Sequence, residues 1–211
     1  MFQEVAGQHV DTVGLGFSRL IALGKAWVLC RTCYQVDRLP HEGEQIELRT
    51  WSRGDNGLYA LRDYQLIDGH VGAAVSCSSY WAIIDCQSRR VIRLHDMMNA
   101  LETHKELAIG RETLDRLRLT KELPAVEPLA HFPVKPSMLD HTGHVNNSEY
   151  IKWVFDNLPC PIQPPFMLSV EYLLETQPQE HVSVYVYPSP SSALFHIAND
   201  RSTSVLAKID Y

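Results

Sequence analysis

The 211-residue sequence predicts an α+β fold of two tandem units, each an antiparallel sheet wrapped on one helix. Three observations carry this expectation. Apolar residues at helical spacing occur twice, each time ahead of β-type runs. Turn clusters part those runs as hairpins would. The order of helix then strands returns in the second half. Length alone leaves the count open, since a typical domain of about 150 residues goes into the chain about 1.4 times.

Phe2, Ala6, Val10 and Val13 mark a helix over 2–13, and Gly14 and Gly16 follow as stop signals. Strands are then expected over 27–36, 45–52, 58–67 and 71–84, parted by turn clusters at 40–43, 54–57 and 68–69. Residues 96–123 are polar and helix-permissive. Pro124, Pro128, Pro133 and Pro136 bound an extended stretch that enters a new unit. A second helix over 147–158 places Tyr150, Ile151, Val154, Phe155 and Leu158 on one face, with Glu149 in its first turn and Pro159 ending it. Strands over 166–175, 181–187, 193–198 and 203–209 follow, with a hairpin turn at 199–202. Leu29, Pro40, Ile46 and Leu48 line up in order with Leu168, Pro178, Val184 and Val186, as a duplicated unit would give. The domains are expected at 1–123, including the connecting helix or linker, and at 124–211.

Composition narrows the function classes. Apolar residues make 45% and charged residues 21%, which is ordinary globular usage and disfavours disorder or a disulfide-rich miniprotein. A net charge of −6 argues against a broad footprint for nucleic acid or anionic lipid. The uncharged run 71–84 falls short of the roughly 18 to 20 apolar residues of a membrane span. The first residues have neither a secretory nor a transit layout, and five cysteines read as reduced thiols, so the expected address is the cytoplasm. Cys30-x-x-Cys33 lies in a predicted strand with no second such pair, which favours plain packing over zinc.

The densest polar cluster runs from Asp140 to Tyr150, where a loop enters the second helix. Backbone N–H groups in a first helical turn lack intrahelical partners, and the dipole favours negative charge, so such a loop can hold an oxyanion. Gly143 lets the backbone approach a ligand, and Asp140, Thr142 and His144 alternate so that an extended loop would aim all three to one side. Asn146 and Glu149 stand in the capping-box arrangement. His141 and His144 supply too few ligands for zinc, with His181 a distant third, so neither a metal nor a cofactor is expected.

The segment Asp140-x-x-Gly143-His144-Val145-Asn146-Asn147-x-x-Tyr150-Ile151-x-Trp153, running on to Asp156-x-Leu158-Pro159, resembles the acyl-acyl carrier protein thioesterases of bacteria and plant plastids. The first half is similar to the same family in Leu39-Pro40-x-x-Gly43-Glu44-x-Ile46, in Thr50-Trp51, and in Ser78-Ser79-x-Trp81-x-Ile83-Ile84-Asp85 followed by Arg89-Arg90. The resemblance implies two tandem hotdog domains. It also implies a first domain without its opening strand, because the family carries a strand ahead of the helix at which Met1 lies. The family's catalytic Asp–Asn–His loop corresponds to Asp140, Thr142 and His144, and its catalytic Glu to Glu175. Two positions depart: the loop Asn is Thr142, and a cysteine that plant members carry after the Glu is Thr176. A hydroxyl can donate or accept one bond but lacks a carboxamide's reach and second donor.

This constellation suits thioester hydrolysis. N–H donors near His144 to Asn146, with Gly143 and Asn146 supporting the loop, would meet the developing oxyanion. Glu175 is the first candidate for the base, His144 is the alternative base or the proton donor to the leaving thiolate, and Asp140 orients His144 or acts as nucleophile. The implied substrate is a fatty acyl chain on the phosphopantetheine arm of acyl carrier protein, with the chain in the first hotdog. An acidic carrier needs a local basic patch on this acidic protein. Arg89 and Arg90 head such a stretch, which continues through Arg93, Lys105, Arg111, Arg116, Arg118 and Lys121. An acyl-CoA thioesterase and a non-catalytic acyl-binding protein are the alternatives, and a monomer and a homodimer are both compatible with tandem hotdogs.

Overall fold

In the computed structural model, helical spacing makes α1 (Phe2–Asp11) amphipathic, so that Ala6 packs with Tyr64 and Cys77, and Val10 joins Leu20, Ala60, Ile83 and Leu94. The structure describes residues 1–211 apart from 71, 95, 96, 99, 100, 121 and 141. A second short helix, α2 (Phe17–Ala22), follows where only stop signals were expected. Gly16 is its N-cap, and a Cβ there would fall 1.4 Å from Asp11 Oδ1, so glycine is demanded by contact with α1.

By contacts the chain divides into residues 1–114 and 115–211. The first unit continues with β1 (Lys25–Val36), β2 (Glu47–Asp55), β3 (Ala60–Ile67), β4 (Val75–Asp85) and β5 (Val91–Ile92). Its sheet runs β2-β3-β4-β1, antiparallel throughout, with β5 on β4. Cys30 and Cys33 lie within β1, and all five cysteines are free thiols.

No helix forms among the described residues 101–120, contrary to the connecting helix their polarity suggests. The segment instead straps the sheet. The His104 N–H donates to Ser52 O at 2.8 Å, the Trp51 indole to Glu106 O at 3.0 Å, and the Leu114 N–H to Tyr80 Oη at 3.1 Å. Ala108 N–H donates to the buried Asp63 carboxylate at 2.8 Å, beside Arg53 at 3.0 Å and the Ser78 hydroxyl. Burial pushes the Asp63 carboxyl above its ordinary range, and these partners oppose that shift. Backbone groups held by side chains of the sheet cannot also close helical turns, so tertiary contacts override local propensity.

The second unit holds β6 (Ala130–Pro133), a 3-10 turn at Pro136–Met138, α3 (Asn147–Asp156), β7 (Phe166–Tyr172), β8 (His181–Ser189), β9 (Ser192–Asn199) and β10 (Thr203–Asp210). Its sheet runs β7-β10-β9-β8-β6. The order β1-β4-β3-β2 of the first unit thus returns as β7-β10-β9-β8, a helix with four strands repeated. β6 forms in the proline-bounded stretch, and Phe132 on it packs edge-on to Trp153 at 5.2 Å. Among the described residues of the first unit nothing corresponds to β6, and beyond β2 there is a single parallel bridge, Ser52 to Thr103.

α3 buries Tyr150, Trp153 and Val154 against its sheet, the stripe that i, i+3 and i+4 spacing gives. Phe155, expected on that face, stays partly exposed and meets Phe166 with ring centroids 5.9 Å apart. Among the described residues no helix is long and apolar enough to cross a membrane.

Candidate active site

The loop between the 3-10 turn and α3 closes on itself rather than running extended. Asp140 N–H donates to His144 O at 2.8 Å, Gly143 N–H to Asp140 O at 3.1 Å, and Leu139 bridges Val145. Gly143 has φ 82°, a left-handed conformation that a side chain resists, so this turn needs glycine. The turn, not strand alternation, brings the three polar side chains together. Asp140 Oδ1 accepts from Thr142 N at 2.8 Å, from Thr142 Oγ1 at 2.6 Å and from His144 N at 3.3 Å.

Thr142 Oγ1 also lies 3.0 Å from His144 Nδ1. A hydroxyl has one proton. The ionised Asp140 can only accept, so that proton points to Asp140, and Thr142 then accepts from the His144 Nδ1–H. This assigns the tautomer and leaves Nε2 as the basic nitrogen of the neutral ring. A carboxamide at this position would have the same polarity, donating to the Asp and accepting from the His. The single hydroxyl of Thr142 therefore makes both contacts without a carboxamide's reach or second donor.

His144 Nε2 faces Glu175 Oε1 at 3.6 Å, with both side chains about two-thirds buried. Glu175 does not lie in a strand, as its expected place in 166–175 would have it. β7 ends at Tyr172, where Leu173 and Leu174 both donate their N–H to Ser204 O, at 2.8 and 3.1 Å. The register of β10 shifts between Thr203 and Val205, which frees that carbonyl from the ladder. The chain leaves the sheet there, and Thr176 fixes it again. Its N–H donates to Tyr150 Oη at 3.2 Å, its carbonyl accepts from Val145 N–H at 3.1 Å, and its hydroxyl pairs with Ser204 Oγ at 2.9 Å. That Tyr150, Thr176 and Ser204 hold the segment carrying Glu175 is not revealed by spacing, because Tyr150 reads as a core residue and the bulge at Ser204 has no sequence signature. Burial raises the Tyr150 phenol above its ordinary pKa, which keeps it a neutral hydroxyl.

The expected oxyanion donors need correction. The N–H groups of His144, Val145 and Asn146 are taken by Asp140, by Thr176 O and by Met138 O. Asn146 supports the loop as the N-cap, its Oδ1 accepting from Ser148 N at 3.0 Å, but Glu149 does not close a capping box and pairs with Lys152 instead. Among the described residues, the Asn147 N–H at the first position of α3 has no acceptor in the fold, and it is the donor the site leaves available.

Arg89 and Arg90 are exposed in the turn between β4 and β5, with Arg89 at φ 59°. Arg93, Lys105, Arg111 and Arg118 are exposed as well, Arg116 pairs with the buried Glu171 at 3.7 Å, and Lys121 lies outside the described residues. Among the described residues no three metal-ligating side chains converge, and His141 lies outside them.

Comparison with known proteins bears on this loop and on both units. The family model described as Acyl-ACP thioesterase N-terminal domain matches residues 1–101, and that of the Acyl-ACP thioesterase C-terminal domain matches residues 122–207. The chain belongs to the acyl-ACP thioesterase family. An oleoyl-acyl carrier protein thioesterase 2 of Arabidopsis thaliana is 26% identical over 232 residues, spanning 100% of this chain and 62% of its own length. A palmitoyl-acyl carrier protein thioesterase of the same plant is 30% identical over 172 residues, spanning 76% of this chain and 41% of its own. The chain thus spans less than two thirds of the length of these relatives. Two solved structures share its hotdog fold. An acyl-ACP thioesterase of Bacteroides thetaiotaomicron superposes with a TM-score of 0.85 at 21% identity, and a 12:0-ACP thioesterase of Umbellularia californica with 0.84 at 20%. Each superposition covers 99% of this chain and 86% of the other.

Proposed function

We propose that this family member hydrolyses the thioester between a fatty acyl group and acyl carrier protein, releasing free fatty acid in fatty acid biosynthesis. The observation that carries the proposal is the linked series Asp140–Thr142–His144, in which each hydrogen bond has one consistent donor and acceptor, and which leaves the unprotonated His144 Nε2 facing Glu175 Oε1 at 3.6 Å, ready to take up a proton. Glu175 takes a proton from water, and the hydroxide oxygen bonds to the thioester carbon. The Asn147 N–H at the start of α3 meets the oxyanion. Loss of such a donor typically costs roughly 3 to 4 kcal/mol of barrier. Glu175 hands that proton to the unprotonated His144 Nε2 beside it, and Nε2 gives it to sulfur as the C–S bond breaks. Products are the fatty acid and the carrier's free thiol. Asp140, its Oδ1 accepting three bonds from the loop, serves as orienter rather than nucleophile in this scheme.

The acidic carrier is the proposed partner, docking at Arg89 and Arg90, in a cytoplasmic setting, with the enzyme acting as a monomer or homodimer. Thiol release from matched acyl-carrier and acyl-CoA substrates of graded chain length tests the substrate class. Higher kcat/KM on the carrier is expected. Equal or higher values on CoA would select an acyl-CoA thioesterase, and no hydrolysis of either would select an acyl-binding protein.

A further inference from the structure

Glu175 stands past the end of β7, and its carboxylate faces His144. Its carbonyl oxygen accepts two hydrogen bonds from the turn between β9 and β10, one from Arg201 Nη2 and one from Asn199 Nδ2 at 3.3 Å. The turn is itself locked, because Asn199 Oδ1 accepts from the N–H groups of Arg201 and Ser202, each at 2.9 Å. Glu180 completes the arrangement. Its carboxylate binds Arg201 through Nε and through Nη2, the latter at 3.2 Å, and accepts from Gln177 N–H at 2.7 Å and Asn199 Nδ2 at 3.3 Å. Segment 175–180 is thereby tied to the turn at both ends.

We infer that Arg201, with Asn199, is a positioning residue for Glu175, a role that rests on the thioesterase reading above. Glu180 neutralises the guanidinium, and the pairing raises the Arg201 pKa, so Arg201 acts on Glu175 through the backbone bond more than through its charge. The two donors fix the peptide that follows Glu175 at its carbonyl, Tyr150 Oη holds the same peptide at the Thr176 N–H, and the Val145 N–H fixes the next peptide at the Thr176 carbonyl. With both peptides held, the Glu175 side chain has few paths away from His144. Arg201 keeps 40% of its side chain exposed, so its removal leaves the core intact.

The test combines kinetics with structure. Arg201→Met should lower kcat roughly 10- to 100-fold, in keeping with a small displacement of a reacting group, with KM and the unfolding midpoint nearly unchanged. Arg201→Lys should restore part of the loss. In a Glu175→Gln background, Arg201→Met should cause little further loss, because the group it positions is already gone. A crystal structure of Arg201→Met should show the Glu175 carboxylate moved from its 3.6 Å approach to His144 Nε2. An unchanged kcat, an equal loss in the Glu175→Gln background, or a carboxylate still in place would overturn the inference. If the native protein hydrolyses no thioester, the functional proposal fails, and the crystal structure alone still decides whether Arg201 positions Glu175.

Discussion

Thr142 Oγ1 lies 3.0 Å from His144 Nδ1 while it donates to Asp140. One hydroxyl thus does what the carboxamide expected at this position would do with two separate groups, and it fixes which imidazole nitrogen carries the proton. Thr142→Val keeps the shape and removes both bonds. It should lower kcat by roughly 100-fold, the usual scale for losing an oriented acid–base group. Thr142→Asn keeps donor and acceptor in order and should retain activity within about tenfold of the parent, by the same principle. Steady-state kinetics of both variants on one acyl-carrier substrate check the pair. Equal losses would show that the polarity of the link is irrelevant.

Tyr150→Phe tests the link between α3 and the segment carrying Glu175. The substitution leaves the buried Thr176 N–H without its acceptor, and an unsatisfied buried donor typically costs about 1–3 kcal/mol. A lower unfolding midpoint together with a reduced kcat is expected. A change in neither would mean that the bond contributes nothing to stability or to the site.

Arg38 grips Asp68 through Nε at 2.7 Å and through a second guanidinium contact, and the side-chain bond holds the Asp68 carboxyl down to about 2. A depressed folded-state pKa stabilises the fold above the ordinary carboxylate range, and that contribution is lost as pH falls toward the folded value. Asp68→Asn should therefore be less stable than the parent by a constant margin above about pH 5, with the margin shrinking as the pH approaches 2. Denaturant titrations across this range measure it. A margin that grows on acidification would contradict the pairing.

If the acidic carrier docks at the exposed Arg89 and Arg90, as proposed, Arg89→Glu with Arg90→Glu should raise KM for an acyl-carrier substrate and leave a small thioester mimic unaffected. Added salt should weaken the native protein toward the same KM. Equal effects on both substrates would remove these residues from docking.

Much of this fold is legible from the sequence, and the reasons are local. The strands of both units follow from β-type runs parted by turn residues. α3 starts at the capping Asn146. The polar cluster from Asp140 to His144 is visible because histidine, aspartate and glycine seldom gather without cause. What escaped depends on contacts between distant segments. The strap after β5 reads as helix-permissive until Asp63, Ser52 and Tyr80 claim its N–H groups. α2 hides behind a glycine that Asp11 requires. That the N–H groups of Val145 and Asn146 are taken does not show in the sequence, because the Thr176 and Met138 carbonyls that accept from them come from outside the loop. The hold of Arg201 on Glu175 joins residues 26 apart and has no signature in either segment.

The central claim is that Glu175, held against His144, drives hydrolysis of an acyl-carrier thioester. The most direct measurement is single-turnover release of fatty acid from acyl-acyl carrier protein by the native protein and by Glu175→Ala, each confirmed folded by its unfolding midpoint. Rapid release by the native protein and a loss of at least about 100-fold in the variant are expected. Release by Glu175→Ala at the native rate would contradict the claim.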